Sequence, residues 1–126
     1  MEKKELAVSY KHSGCNCCQA VLMAYMEEAE LSEPILKKLG AGFGGGMGGM
    51  EGDCGALIGA EMILGLLEYD GVPIARNAKA LYADFARMAG AAVCGDLKGI
   101  KTGEVLCSCD DCVRYAVEAL DRQLQK

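Results

Sequence analysis

Residues 54–69 read CGALIGAEMILGLLEY, with Glu61 and Glu68 as the only charges. Leu57, Ile58, Met62, Ile63, Leu64, Leu66 and Leu67 spread over nearly every side of a helix drawn through them. A helix of that kind belongs at the centre of a packed domain. Gly55 and Gly59, four residues apart, would let a neighbouring backbone approach closely. The stretch is too short and too interrupted for a membrane span, which needs ~20 apolar residues.

Working outward, helix signals dominate. From Asn16 to Leu31, Val21, Leu22, Tyr25 and Ala29 recur at helical spacing and leave Glu27, Glu28 and Glu30 to solvent. Ser32 and Pro34 open a short helix that Gly40 ends. Gly40 to Asp53 reads as a loop, with eight glycines between 40 and 52. Asp70-Gly71-Val72-Pro73 is a turn, after which Ile74–Ala92 carries a stripe of Ala78, Leu81, Tyr82, Phe85 and Met88. Gly95–Ser108 is polar, and Asp110–Gln125 aligns Val113, Ala116, Val117, Leu120 and Leu124 on one side. No alternating apolar run of strand length competes. The expected fold is one all-α domain over residues 1–126, a bundle of four main helices plus one short one, with a glycine-rich loop before a central buried helix.

Composition narrows the function. A chain of 126 residues is long enough to hold one core without staples. A net charge of -5 argues against nucleic acid or an anionic membrane surface as partner. The first residues, MEKKELAVSYKHSG, contain no apolar run of signal-peptide length, so the expected setting is the cytoplasm.

That setting gives meaning to the eight cysteines, at 15, 17, 18, 54, 94, 107, 109 and 112. In a reducing compartment such a number points to metal ligation or redox chemistry rather than to a disulfide framework, although single free cysteines often serve only as small buried hydrophobes. Six of them form two clusters, Cys15, Cys17 and Cys18, and Cys107, Cys109 and Cys112. Cys15–Cys18 and Cys109–Cys112 each make a CxxC, the spacing of a Cys-only metal site, an iron–sulfur cluster or a reversible disulfide. Most of the thiols fall at expected helix starts, where unpaired N–H groups and the positive end of the macrodipole favour a thiolate. Cys54 combines such a position with glycine-rich access, which makes it the expected nucleophile and most acidic thiol, provided that Asp53 caps the helix and turns its carboxylate away from the sulfur. Asp110 and Asp111 oppose ionisation of the second pair. His12 reads as a solvated residue near the N-terminus, and no CxxCH signals a c-type haem.

Gly44-Gly45-Gly46-Met47-Gly48-Gly49 satisfies G-x-G-x-x-G, but no strand precedes it and no Walker lysine follows, so no nucleotide site is expected. Two readings of Gly44, Gly45 and Gly46 remain. Their backbone passes close to a thiolate or cluster and turns N–H groups toward it, or the segment is a mobile connection. Met47 and Met50 read as packing over the helix end. Glu61 is either a proton donor near the thiols or the end of a solvated stripe with Glu68.

GCNCCQAVLMAY (14–25), GFGGGMGG (42–49), CGALIGAEMILG (54–65), Cys94 before Gly95-Asp96-Leu97, and CDDCVRYAVEAL (109–120) together resemble the family of redox-active proteins named for its C…GCAxxG…C…C pattern. The resemblance runs from about Gly14 to Leu120, and the motif here reads Cys54-Gly55-Ala56-Leu57-Ile58-Gly59. It implies an α-helical fold and a redox role, with the pattern cysteines at Cys17 or Cys18, Cys54, Cys94, and Cys109 or Cys112. The further cysteines exceed the minimal pattern.

Two functional classes follow, beside a purely structural all-α domain. One is a thiol–disulfide redox protein using Cys54, Cys17, Cys18, Cys94, Cys109 and Cys112, with a redox protein or a small thiol as partner. The other binds a metal such as zinc, or an iron–sulfur cluster, through Cys17, Cys54, Cys94 and Cys109, with Cys15, Cys18, Cys107 and Cys112 as substitutes. Nothing in the chain sets an oligomeric state.

Overall fold

The computed structural model describes residues 1–125 and is all-α. Its helices are α1 (Lys3–His12), α2 (Cys17–Ala24), α3 (Met26–Ala29), α4 (Glu33–Gly40), α5 (Gly55–Glu68), α6 (Ala75–Ala89), α7 (Cys94–Lys98) and α8 (Cys109–Leu124). Among the described residues there is no strand, only an isolated antiparallel bridge between Asp53 and Val93. The expectation of four main helices and one short one is therefore corrected to eight. α1 and α7 are additional, and the helix expected over 16–31 breaks at Tyr25 into α2 and α3.

Each difference has a local cause. α1 is mostly polar and buries only Ala7 and Val8, so its apolar stripe is faint in the sequence. It is held against α2 and α8, in part by Lys4 to Glu118 at 2.9 Å and Arg114 to Glu5 at 3.1 Å. At the α2–α3 break the Tyr25 N–H turns to the carbonyl of Leu22, three residues back. The Tyr25 ring is buried, and its hydroxyl donates to Asp121 of α8 at 2.5 Å. A buried phenol needs such a partner, and meeting it re-aims the chain.

α5 lies at the centre, packed on one side by α2 and on another by α8, with α6 against α8 and α4 against α2. Leu57, Ile63 and Leu64 meet Leu22, Met23, Phe85 and Leu120 in one core. Each such side chain contributes about 1.5–3 kcal/mol by leaving water. The close approach expected at Gly59 is present: a Cβ there would stand 2.9 Å from the Cys18 carbonyl oxygen and 3.2 Å from the Val21 Cβ. α5 is nonetheless not covered all round, for Leu66 is 47% exposed and Tyr69, just after the helix, 61%.

The glycine-rich segment is an ordered connection. A 3₁₀ turn, Ala41–Phe43, leads into a run of left-handed backbone, with φ of 62° at Gly45, 61° at Gly46, 62° at Met47 and 89° at Gly48. L-residues avoid that region, which is why glycine recurs here. The turn closes with the Gly52 N–H on the Gly46 carbonyl at 3.1 Å.

Candidate functional site

Three local structures bring the thiols to one end of the bundle. At the start of α2, Asn16 and Gln19 form a reciprocal cap: the Asn16 side chain accepts from the Gln19 N–H at 2.8 Å, and the Gln19 side chain accepts from the Asn16 N–H at 2.9 Å. Such a cap is worth about 1 kcal/mol and fixes where the first turn points. Asn16 Nδ2 also donates to the Gly40 carbonyl and Gln19 Nε2 to that of Lys37, so the end of α4 is tied to the same corner. Cys17 and Cys18 are thereby aimed at α5.

The second device pairs segments 52–54 and 92–94. The Cys54 N–H donates to the Ala92 carbonyl at 2.8 Å and the Cys94 N–H to that of Gly52 at 2.9 Å. These bonds flank the Asp53–Val93 bridge and bring the start of α5 beside the start of α7. The third is α8, where Ser108 accepts from the Asp111 N–H at 3.1 Å and sets Cys109 and Cys112 on the first turn.

All eight cysteines are free thiols. Cys17 and Cys109 neighbour one another and are half-buried, while Cys54, Cys94, Cys107 and Cys112 are buried behind them and Cys18 is wholly enclosed. Cys17 also faces Cys54. Cys54 in turn has Cys112, Cys18 and Cys94 nearby. The thiols thus form a chain from the surface inward, Cys109 to Cys17 to Cys54 to Cys112, with Cys107 beyond: the Cys112 thiol reaches the Cys107 carbonyl at 3.8 Å. Cys15 precedes the Asn16 cap and is buried in the core.

Burial dominates the electrostatics. It pushes Cys17 up to about 12, with charge on Cys109 and Cys54 adding to the effect, and Cys18 up to about 12, with Cys54 adding. Cys54 moves upward too, first through its hydrogen bond with Cys112 and then through burial; the N–H groups of Ala56 and Leu57 oppose this without forming a capping bond. Burial likewise raises Cys94 and Cys107. The expected acidity of Cys54 is therefore reversed in the fully reduced protein. Cys54 itself occupies the N-cap of α5, and Asp53 does not cap it.

Gly44 and Gly46 pack against this cluster. A Cβ at Gly44 would lie 2.8 Å from the Asn16 side chain, and one at Gly46 would lie 2.4 Å from the Cys94 Cβ. Gly45 has open space and serves the turn through its positive φ. Glu61 lies near Asp53, its Oε1 buried without a partner, and burial followed by the Asp53 charge raises its carboxyl to about 7. His12 ends α1 and contacts Asp110 at 2.8 Å.

Lys98 is a site residue that sequence reasoning misses. It sits four residues after Cys94 on α7, a spacing that puts both on one helix face and was the available signal. Its ammonium donates to the Cys107 carbonyl at 2.8 Å and lies 3.6 Å from the Cys112 sulfur. Burial lowers the Lys98 pKa, but the sulfurs of Cys112 and Cys109 outweigh it and hold the ammonium above the usual lysine range.

Cys54 lies among Cys17, Cys18, Cys94, Cys107 and Cys112, thiols drawn from both clusters and from the single cysteines. Among the described residues no group of three or more His, Cys, Asp or Glu side chains is arranged to hold a metal ion. Nor, among them, is any helix long and apolar enough to cross a membrane.

The family model described as "Putative redox-active protein (C_GCAxxG_C_C)" matches residues 15–123. No curated protein and no solved structure matches the chain. The match spans most of the sequence, and the chain belongs to that family.

Proposed function

From that membership we propose that the chain is a thiol–disulfide redox protein of a reducing compartment, in which Cys17 and Cys109 form the pair open to substrate and Cys54 and Cys112 a buried pair behind it. The observation that carries the reading is the continuous row of thiols from a half-buried pair to a buried one, drawn from three separate parts of the sequence. Redox partners of two types suit this opening, a disulfide-bearing protein segment or a small disulfide.

The chemistry is ordinary exchange. A thiolate at Cys109 or Cys17 attacks one sulfur of the substrate disulfide, whose S–S bond breaks, and a mixed disulfide forms as the first substrate thiol leaves. The other member of the pair attacks the protein sulfur of that mixed disulfide and releases the second substrate thiol. The substrate disulfide gains two electrons and two protons, and the protein dithiol loses them. Burial keeps Cys17 protonated at rest, so its attack draws on the small thiolate fraction that Lys11 and Lys98 support.

The test is equilibration of anaerobically purified protein in glutathione buffers of graded potential, with disulfides mapped by peptide mass spectrometry. Reversible Cys17–Cys109 and Cys54–Cys112 disulfides are expected. Protein whose thiols stay reduced at every potential, or that carries stoichiometric metal or a visible cluster spectrum, would overturn the reading.

A further inference from the structure

We infer that Lys98 is the cation that carries thiol–disulfide exchange between the outer pair, Cys17 and Cys109, and the inner pair, Cys54 and Cys112. The inference rests on the thiol–disulfide reading and adds to it the residue that stabilises the moving charge. In the transfer, the Cys54 thiolate attacks Cys17 of a Cys17–Cys109 disulfide. That bond breaks and Cys109 leaves as a thiolate. The Cys112 thiolate then attacks Cys54, the Cys54–Cys112 bond forms and Cys17 leaves. One disulfide is broken and one made, and the protons that Cys54 and Cys112 give up are matched by those that Cys109 and Cys17 take on, so no outside oxidant is required.

Between the two steps the charge sits first on Cys109, the leaving group of the first, and then on Cys112, the attacker of the second. Lys98 serves both. Its ammonium is 3.6 Å from the Cys112 sulfur, and Cys109 is near enough to help raise the Lys98 pKa. The 2.8 Å bond to the Cys107 carbonyl fixes it there, so little reorganisation accompanies the step. Among the described residues it makes no ion pair with a carboxylate, and its charge is directed at the sulfurs. It opposes the upward shifts of Cys17, Cys94 and Cys107 as well. Lys11, the other cation felt by Cys17, lies on α1 and does not feature at the inner pair.

The test compares Lys98→Met, which keeps the stem and removes the charge, with Lys98→Arg, which keeps the charge. Each is equilibrated in glutathione buffers, and transfer is followed by quenching and mapping disulfides after oxidation of the outer pair. Lys98→Met is expected to slow formation of the Cys54–Cys112 disulfide about tenfold, because the thiolates that form at Cys109 and Cys112 during transfer lose their counter-charge. Lys98→Arg is expected to restore most of the rate. Equal rates in Lys98→Met and wild type, or an arginine variant as slow as the methionine one, would overturn the role. Wild type that forms no disulfide at all would instead sink the parent reading and this one with it. As a check that needs no variant, amine labelling of wild-type Lys98 should rise severalfold once Cys109 and Cys112 are oxidised; unchanged labelling counts against the contact.

Discussion

Gly46 leaves the space that the Cys94 side chain occupies: a Cβ at Gly46 would stand 2.4 Å from the Cys94 Cβ and 3.3 Å from its sulfur. The glycine turn and the thiol row are therefore one packed unit. Gly46→Ala is expected to cost about 2–4 kcal/mol, combining the left-handed backbone penalty with overpacking. Gly45 has the same hand of backbone but nothing within 4 Å of an added Cβ, so Gly45→Ala should cost about 1–2 kcal/mol. Urea midpoints of the two variants decide the matter. Equal losses would detach the turn from Cys94.

Tyr25→Phe tests the break between α2 and α3. The hydroxyl bond to Asp121 crosses from α2 to α8 in a buried setting, and losing a bond to a charged acceptor costs about 1.5–3 kcal/mol. A variant as stable as wild type would show that the helix breaks for another reason.

Thiol ionisation sets a second, pH-dependent signature. A thiol whose pKa is higher folded than unfolded binds its proton more tightly in the native state. Its contribution is complete below the ordinary thiol value of 9.0 and is lost as pH rises toward about 12. Under reducing conditions stability should hold up to about pH 8.5 and fall above it, by up to about 1.4 kcal/mol per pH unit per thiol. Cys18→Ala, itself less stable at pH 7, should show the shallower fall. Iodoacetamide should label half-buried Cys17 slowly at pH 7 and fast only above pH 9. Brisk labelling of Cys17 or Cys54 near pH 6 would contradict the burial argument.

The helices with broad apolar stripes were legible in the sequence. α5, α6 and α8 came out to within a few residues, because each buries a continuous face that sets a 3.6-residue period. α1 and α7 were not legible. The first attaches through ion pairs and two small side chains, and the second is five residues long and is held by the 52–54 and 92–94 pairing, which no local pattern announces. The gathering of Cys17, Cys54, Cys94 and Cys109 is legible only as three expected helix starts and one cysteine after a helix end, which a bundle can bring to one end. The order of contacts among them depends on the Asn16 cap and on Gly46. Cys54 reads as acidic from its helix start alone, and the enclosure that raises its pKa has no local signature in the sequence.

Glu61 offers a test of burial apart from the thiols. Its carboxyl is raised to about 7, so its contribution is present below pH 4.5 and is lost as pH climbs through 7. Glu61→Gln should match wild type near pH 4 and exceed it by about 1 kcal/mol at pH 8, a figure reduced from the full shift because the residue is only half-buried. Denaturation curves at the two pH values check the sign, and a variant that gains nothing at pH 8 would place the carboxylate in water.

The order of the thiol row predicts an asymmetry among serine variants. Substrate can reach Cys17 and Cys109, since both are half-buried, whereas Cys112 is wholly enclosed. Cys17→Ser or Cys109→Ser breaks the outer pair and should lower disulfide exchange with an added small disulfide at least a hundredfold, because no second thiol then resolves the mixed disulfide at the opening. Cys112→Ser leaves the outer pair intact. It should retain single-turnover exchange within about threefold of wild type but lose transfer inward, so that the outer disulfide accumulates. Stopped-flow rates for one turnover, with quenched samples mapped for disulfides, separate the two steps. If Cys112→Ser lost the first step as completely as Cys109→Ser, substrate would be entering at the buried pair, and the outside-to-inside order of the row would have to be abandoned.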